Sequence, residues 1–505
     1  MTLAVLFSRA QCGLAAPQVT VEVHLSNGLP SLSIVGLPET AVKESKERIR
    51  AALLNSGFEY PARRITINLA PADLPKQGGR YDLAMALGVL AASGQMPAAG
   101  TAGYEFLGEL ALSGELRPVR GVLPAALQAR AAERQLIIPR SNSAEGALIS
   151  GLSVYPAGHL LEVCAHLNGT RPLAPCPRLS PSEEDADPAQ PDLADVSAQH
   201  HAKRALEIAA AGGHSLLMIG PPGTGKTMLA RRLPGILPAM TDEEALEAAA
   251  IASISGHGFS PRQWRKRPFR APHHSASGPA LAGGGSIPGP GEISLAHQGV
   301  LFLDELPEFS RHALEVLREP LEAGRITISR AAQQAEFPAR FQLIAAMNPC
   351  PCGFHGDPQG RCRCTGEQIQ RYRARLSGPL LDRIDMHIEV PPVPPRQWRE
   401  AQREPLASSS HARKRVTRAR NIQQRRAGKP NHLLAPPDIV RHCQLEAGDR
   451  AILESACERL GLSARAYHRI LKVARTIADL EESDNIAANH LSEAISYRRL
   501  DRGLR

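Results

Sequence analysis

Residues 19–25 read Val-Thr-Val-Glu-Val-His-Leu, strict alternation of apolar and polar positions, which predicts a half-buried β-strand. Residues 64–69 repeat that period, and the mildly apolar start, broken at Arg9, predicts a first strand rather than a signal peptide. Between them, 41–56 carries a helical pattern. Residues 81–93 are apolar almost throughout and predict a buried helix; 105–112 returns to strand. The pattern lapses over 171–191, where prolines at 172, 175, 177, 181, 188 and 191 flank the acidic run Glu183-Glu184-Asp185. That composition predicts an exposed linker. From 192 to 395 short apolar runs alternate with helical ones, the pattern of a parallel α/β sheet. Beyond the prolines of 391–395 only helical periods remain, over 413–426, 437–445, 449–460, 464–479 and 487–497. The expected organisation is therefore an α+β unit over 1–170, a linker over 171–191, an α/β core over 192–395 and a helical region over 396–505.

Composition changes this picture little. A length of 505 residues agrees with roughly three domains of about 150 residues each. No stretch reaches the roughly 18 apolar residues of a membrane span, so a cytoplasmic protein without membrane contact is expected. The net charge of +9 permits an anionic partner such as nucleic acid without requiring one. The nine cysteines are an odd number, unevenly spread, which argues against a disulfide framework.

Chemistry enters at 220–227. Gly220-Pro221-Pro222-Gly223-Thr224-Gly225-Lys226-Thr227 is a complete phosphate-binding loop between a strand-like run and a helix-like one. Its glycines let backbone N–H groups face phosphate at a helix N-terminus. Lys226 would reach the β- and γ-phosphates of ATP, and Thr227 would hold Mg²⁺. Residues 300–305, Val-Leu-Phe-Leu-Asp-Glu, form an apolar strand ending in two carboxylates. Asp304 would sit near Mg²⁺, and Glu305 would polarise the attacking water. Either motif alone could be a chance turn or strand end; together they predict ATP binding and hydrolysis.

Other clusters leave alternatives open. Cys350, Cys352, Cys362 and Cys364 form a four-thiol set separated by loop-forming residues. It suits a structural Zn²⁺, although C-x-C is tighter than the usual spacing, and unligated thiols or a redox or other-metal role are the alternatives. His273 and His274 lack an obvious third ligand nearby, which favours a loop role over a metal site. Residues 411–430 hold eight Lys or Arg and no acid, which is either a polyanion patch or a solvated helix face.

With these motifs placed, the chain resembles the YifB/ComM family, magnesium-chelatase-like AAA+ ATPases with an N-terminal Lon-protease-like domain. The resemblance is carried by 220–227, 271–276 with 283–285, 289–309, 348–353 and 464–480. One departure is Ala198 before Gln199, where the family pattern expects Gly. The implied fold is an AAA+ P-loop sheet with a C-terminal helical lid, preceded by an α+β domain of ribosomal-protein-like fold. The resemblance implies that Asn348 is the sensor 1 residue orienting water, and that Arg465 in the lid is sensor 2. Arg383 resembles an arginine finger acting on a neighbouring subunit, with an intrachain pair to Asp382 or Asp385 as the alternative. Arg340 sits where the related MCM branch carries another nucleotide-sensing Arg. Residues 326–346 resemble the pre-sensor 1 hairpin, with Arg330 at its tip either gripping DNA phosphate or simply exposed.

In the N-terminal domain, 107–122 matches the Lon proteolytic domain. Residues 75–82, where Lon carries its serine, contain none, and Val122-Leu123 stand where its lysine base would follow. A Ser–Lys dyad needs both members, so the domain is expected to be proteolytically inactive. The leading expectation is a homo-hexameric motor translocating on DNA, promoting branch migration in recombination or natural transformation. The alternatives are a chelatase-type ATPase remodelling a protein partner and an ATP-dependent protease.

Overall fold

The computed structural model describes residues 3–177, 191–256, 258–285, 288–329, 334–357, 359–394 and 408–498. Most of the expected linker, Arg330 at the hairpin tip and the start of the helical region therefore lie outside the described residues. The chain forms two compact units, one built on 1–183 with 246–264 and 329–337, the other on 184–245, 265–328 and 338–505.

The first unit is built on a seven-stranded mixed sheet. Its strands are β1 (Leu3–Arg9), β2 (Gln18–Ser26), β3 (Ser31–Val35), β4 (Arg64–Ala70), β5 (Tyr104–Phe106), β8 (Gln135–Pro139) and β9 (Val154–Ala157), in the order β3-β4-β2-β1-β5-β8-β9. The alternation in β2 buries Val19, Val21, Val23 and Leu25 on one face. The run expected as one strand over 105–112 breaks instead: β5 ends at Phe106, and β6 (Glu109–Leu110) forms a tight hairpin with β7 (Leu116–Arg117). The helix Asp82–Ala92 is buried along its whole length. Its Gly88 lets it lie on β2, because a Cβ there would meet Val23 Cγ2 at 2.5 Å. Two ion pairs with buried carboxylates brace the unit. Arg9 grips Glu105 with two bonds of 2.6 Å, and Asp82 accepts from Arg48 at 2.7 Å and Ser45 at 2.5 Å. Burial pushes the Asp82 carboxyl up against the pull of Arg48 and Ser45.

The same unit contains 246–264 and 329–337. Ala249 and Ala250, in the second half of the helix Asp242–Ile254, share a core with Val122, Leu123 and Ala126. Ser253 donates to the buried Glu145, and Gly121 N donates to Ser253 O at 3.0 Å. Val122 and Leu123 are fully buried apolar side chains, so no lysine-like base stands there.

The second unit carries a five-stranded, wholly parallel sheet. Its strands are β10 (Leu216–Ile219), β11 (Phe269–Arg270), β14 (Val300–Leu303), β17 (Gln342–Met347) and β18 (Met386–Glu389), in the order β11-β14-β17-β10-β18. The strands β10, β14 and β17 are buried on both faces, which is why they read as continuous apolar runs. The short pair β12 (Gly283–Gly284) with β13 (Gly289–Pro290) and the strand β15 (Arg325–Ser329) stand outside this sheet, and β16 (Gln334–Pro338) falls almost wholly in the first unit's span. The return strand expected over 336–346 is two strands: β16 ends at Pro338, and the chain re-enters the core sheet as β17.

The helices Ser409–Ala427, Pro436–His442, Ala447–Leu460, Ala464–Leu480 and Ala488–Ser496 complete this unit. The last long one is strongly amphipathic, burying Ile470, Val473, Ala474 and Ile477. A parallel core with a C-terminal helical region is the AAA+ arrangement that the resemblance implies.

Candidate nucleotide site

Residues 220–227 leave the C-terminal end of β10 and enter the helix Lys226–Ile236. Two backbone requirements explain the glycines. Gly225 caps the helix at φ +87, in the left-handed region, and a Cβ on Gly220 would fall 2.2 Å from Val390 O. Lys226 is buried, and its Nζ donates to Gly220 O at 2.7 Å, Pro221 O at 2.8 Å and Asn348 Oδ1 at 3.3 Å. Burial lowers the lysine's pKa while Asp304 and Glu305 hold it up. A phosphate entering this loop would compete with those three acceptor oxygens for the ammonium N–H groups.

Parallel pairing brings the second motif alongside. The strand β17 pairs with both β10 and β14, so the ends of all three point to one crevice, where ligands bind in open α/β sheets. Asp304 follows β14, and its Oδ2 accepts from Thr227 Oγ1 at 2.6 Å. Thr227 and Asp304 are thus the two oxygen donors that could share a Mg²⁺. Asn348 follows β17 directly and lies beside Lys226. Glu305 sits at φ +51, a left-handed conformation uncommon for a residue with a side chain. Its Oε2 lies 3.1 Å from His274 Nδ1. His274 follows β11, the sheet neighbour of β14, which is why it meets a residue 31 positions later in the chain (305 − 274). Sequence spacing alone predicts only a structural or loop role for it.

Gln199 is a further neighbour. Its Nε2 donates to Pro391 O at 2.8 Å and approaches Thr224 O at 3.4 Å. It is held there by two successive left-handed residues, Ala198 at φ +55 and Gln199 at φ +54. That geometry explains the glycine expected at 198, and Ala costs about 1–2 kcal/mol in such a conformation.

The three arginines lie elsewhere. Arg340, Arg383 and Arg465 line one cavity of about 830 Å³ within the second unit, together with Ser215, Gln342 and Asp385. Ser215 and Gln342 mark the N-terminal ends of β10 and β17, opposite the phosphate loop. One strand of about 3.3 Å per residue separates the two edges, roughly 10 Å of packed sheet. The cavity is lined by eight Lys or Arg and three carboxylates, a net positive site. Arg340 and Arg465 are exposed.

Arg383 is buried, donating to Pro379 O at 2.7 Å and paired with Glu322 at 2.5 Å. Its intrachain carboxylate partner is therefore Glu322, not the Asp382 or Asp385 weighed from sequence. Asp385 is engaged by Arg469, by Ser215 N at 3.0 Å and by His214 at 3.5 Å. Burial opposes its charge, but Arg469 and His214 outweigh burial and hold it well below the usual carboxylate range.

The basic run is largely consumed within the chain. Arg415 pairs with Glu207, Arg418 with Glu482, Arg426 with Asp479 and Lys429 with Asp438. Arg413 donates to Gly235 O, and Arg420 to Ala210 O and Ala211 O. Six of its eight cations thus have intrachain partners, which leaves the run a smaller phosphate patch than its density suggests.

The four cysteines of 350–364 lie together, immediately after Asn348. Among the described residues no helix is long and apolar enough to cross a membrane.

Comparison with known proteins fits this layout. The family described as "Magnesium chelatase, subunit ChlI" matches 192–398, "Magnesium chelatase, subunit ChlI C-terminal" matches 407–498, and "Subunit ChlI of Mg-chelatase" matches 21–142. The chain is 53% identical over 502 residues to the uncharacterized protein YifB of Escherichia coli, covering 99% of this chain and 98% of that one. It is 53% identical over 504 residues to the competence protein ComM of Haemophilus influenzae, with the same coverage. A shorter match, 25% identical over 197 residues, relates 35% of the chain to 52% of the magnesium-chelatase subunit ChlI of Anabaena variabilis.

Proposed function

The chain belongs to the YifB/ComM family of magnesium-chelatase-like AAA+ ATPases, and from that premise we propose that it is a cytoplasmic, ring-forming DNA motor driven by ATP hydrolysis. In this reading Gly220–Thr227 cradles the triphosphate and Lys226 neutralises its β- and γ-oxygens. Thr227 and Asp304 hold Mg²⁺ through oxygen, Glu305 polarises the attacking water and Asn348 orients it.

One observation carries the ring. Arg340, Arg383 and Arg465 share a basic cavity at the sheet edge opposite the phosphate loop of their own chain. Side chains so placed stabilise γ-phosphate charge only on an adjacent subunit, and a six-membered ring lets every subunit both give and receive. Arg383 would exchange Glu322 for phosphate on assembly, and Glu322 is half exposed and able to yield.

DNA as the substrate is supported by the relative named for competence, by the net charge of +9 and by Arg330, which the sequence sets between β15 and β16. Branch migration of recombination intermediates is the activity that this combination favours. The N-terminal unit then serves assembly or DNA contact as a Lon-like domain without a dyad.

The test is ATPase rate with and without single-stranded or branched DNA, in the parent and in Arg330→Ala. The reading expects stimulation in the parent and basal turnover without stimulation in the variant. No DNA binding at low salt by the parent would defeat it. The internal engagement of the 411–430 cations favours a second reading, a chelatase-type motor acting on a protein, in which DNA leaves turnover unchanged.

A further inference from the structure

We propose that Cys350, Cys352, Cys362 and Cys364 bind one Zn²⁺ per chain, and that this zinc holds the loop 350–364 against the phosphate-binding loop, so that metal and nucleotide occupancy are coupled. The coupling rests on the nucleotide-site reading above; the metal site does not.

The geometry is that of a tetrahedral thiolate site. The four ligand sulfurs lie within 4.8 Å of one another. Cys350 Sγ is 3.4 Å from Cys352 Sγ and 3.8 Å from Cys362 Sγ, and Cys352 Sγ is 3.7 Å from Cys362 Sγ. A Zn–S bond of about 2.3 Å implies a tetrahedron edge of roughly 3.8 Å. Disulfides would need separations of about 2.05 Å, and all four thiols are free. Four soft ligands with no carboxylate or imidazole in the set favour zinc over harder divalent ions. His355 N donates to Cys350 Sγ at 3.3 Å, an outer-shell hydrogen bond that orients the ligand.

The loop has little else to hold it. Among its described residues after Cys350, only Gly353 is buried. Arg361 pairs with Asp357 at 2.9 Å and stacks on Phe354, but both contacts are at the surface. With no apolar core to pay the ordering entropy, a metal bond is what can fix such a segment.

What the metal fixes is adjacent to phosphate. Gly353 sits at φ +86 between two of the ligands, and a Cβ added there would fall 2.6 Å from Pro222 Cδ and 3.9 Å from Asn348 Cγ. Its backbone therefore rests on the phosphate loop and beside Asn348. Cys350 is two residues from Asn348. Losing the metal would free both supports at once.

The experiment uses the full chain purified without chelator. Metal analysis should give one zinc per chain. Cobalt loaded in its place should show the thiolate-to-metal charge-transfer and d–d absorption of a tetrahedral four-sulfur site. Removing zinc with a chelator should weaken binding of a fluorescent ATP analogue roughly tenfold, toward the lower end of the usual range for coupled sites. Gly353→Ala should keep the zinc and still weaken that analogue. Absence of zinc, or a cobalt spectrum without thiolate bands, overturns the site. Zinc present but released with no change in nucleotide affinity overturns the coupling. A zinc-loaded parent that binds no ATP analogue contradicts the nucleotide-site reading instead and leaves the metal site standing.

Discussion

Asp385→Asn probes the tie between the helix Ala464–Leu480 and the parallel core. The carboxylate is buried and engages Arg469 of that helix, His214, and Ser215 through both its N–H and its hydroxyl, the hydroxyl at 3.2 Å. Asn keeps the shape and one acceptor but leaves the Arg469 cation without its counter-charge. Breaking a buried pair from one side costs about 3–5 kcal/mol, and the retained acceptor places this change near 3. At about 2–4 °C per kcal/mol for a large domain, the melting temperature should fall by roughly 6–12 °C.

Because the folded carboxyl lies below its unfolded value, its stabilisation is complete above about pH 4 and is lost as pH falls through the folded value. The gap between parent and variant should therefore stay constant from pH 7 to 5 and close only on stronger acidification. Thermal and urea unfolding of the full chain across that range measure both. Adding Arg469→Met should cost less than the sum of the single changes, since the orphaned charge disappears with it. A loss under about 1 kcal/mol, or a gap that already narrows between pH 7 and 6, would refute this account of the pair.

Three further outcomes follow from the nucleotide site. Glu305→Gln should bind ATP with near-parental affinity while turnover falls by at least about 10²-fold, as seen in single-turnover assays; normal hydrolysis would remove Glu305 from its role. His274→Ala should lower kcat about tenfold with KM little changed and should alter the pH profile of kcat, because the imidazole 3.1 Å from Glu305 positions that carboxylate. An equal fall at every pH would point to a structural role alone. Arg383→Ala and Lys226→Ala should each abolish turnover, yet mixed rings should regain part of it by pairing an intact phosphate loop with an intact arginine. Mixtures that stay inactive at every ratio contradict action between subunits.

The phosphate loop and the Val300–Leu303 strand were legible because each is one contiguous stretch whose residue types and flanks serve one ligand. The helices after 408 were legible because their apolar positions repeat every turn. What spacing could not show was decided by strand order. His274 meets Glu305 because β11 and β14 are neighbours in the sheet, a fact that no local pattern encodes. Arg383 and Glu322 are joined across 61 positions (383 − 322), and Arg469 rather than a nearer arginine satisfies Asp385. The density of charge in 411–430 left two readings open. Its helix packs against the core, and its long side chains reach carboxylates and carbonyl groups at helix ends. Ala198 shows the converse: the expectation of glycine there has its cause in two left-handed residues in succession.

The central claim is that ATP turnover drives movement on branched DNA. It is tested most directly by incubating the purified chain with a mobile four-way junction, ATP and Mg²⁺, and following conversion to duplex products. The account predicts ATP-dependent conversion by the parent, none with Glu305→Gln or Lys226→Ala, and an ATPase rate that rises with junction concentration. A parent that hydrolyses ATP at the same rate with and without the junction, and leaves it intact, would contradict it.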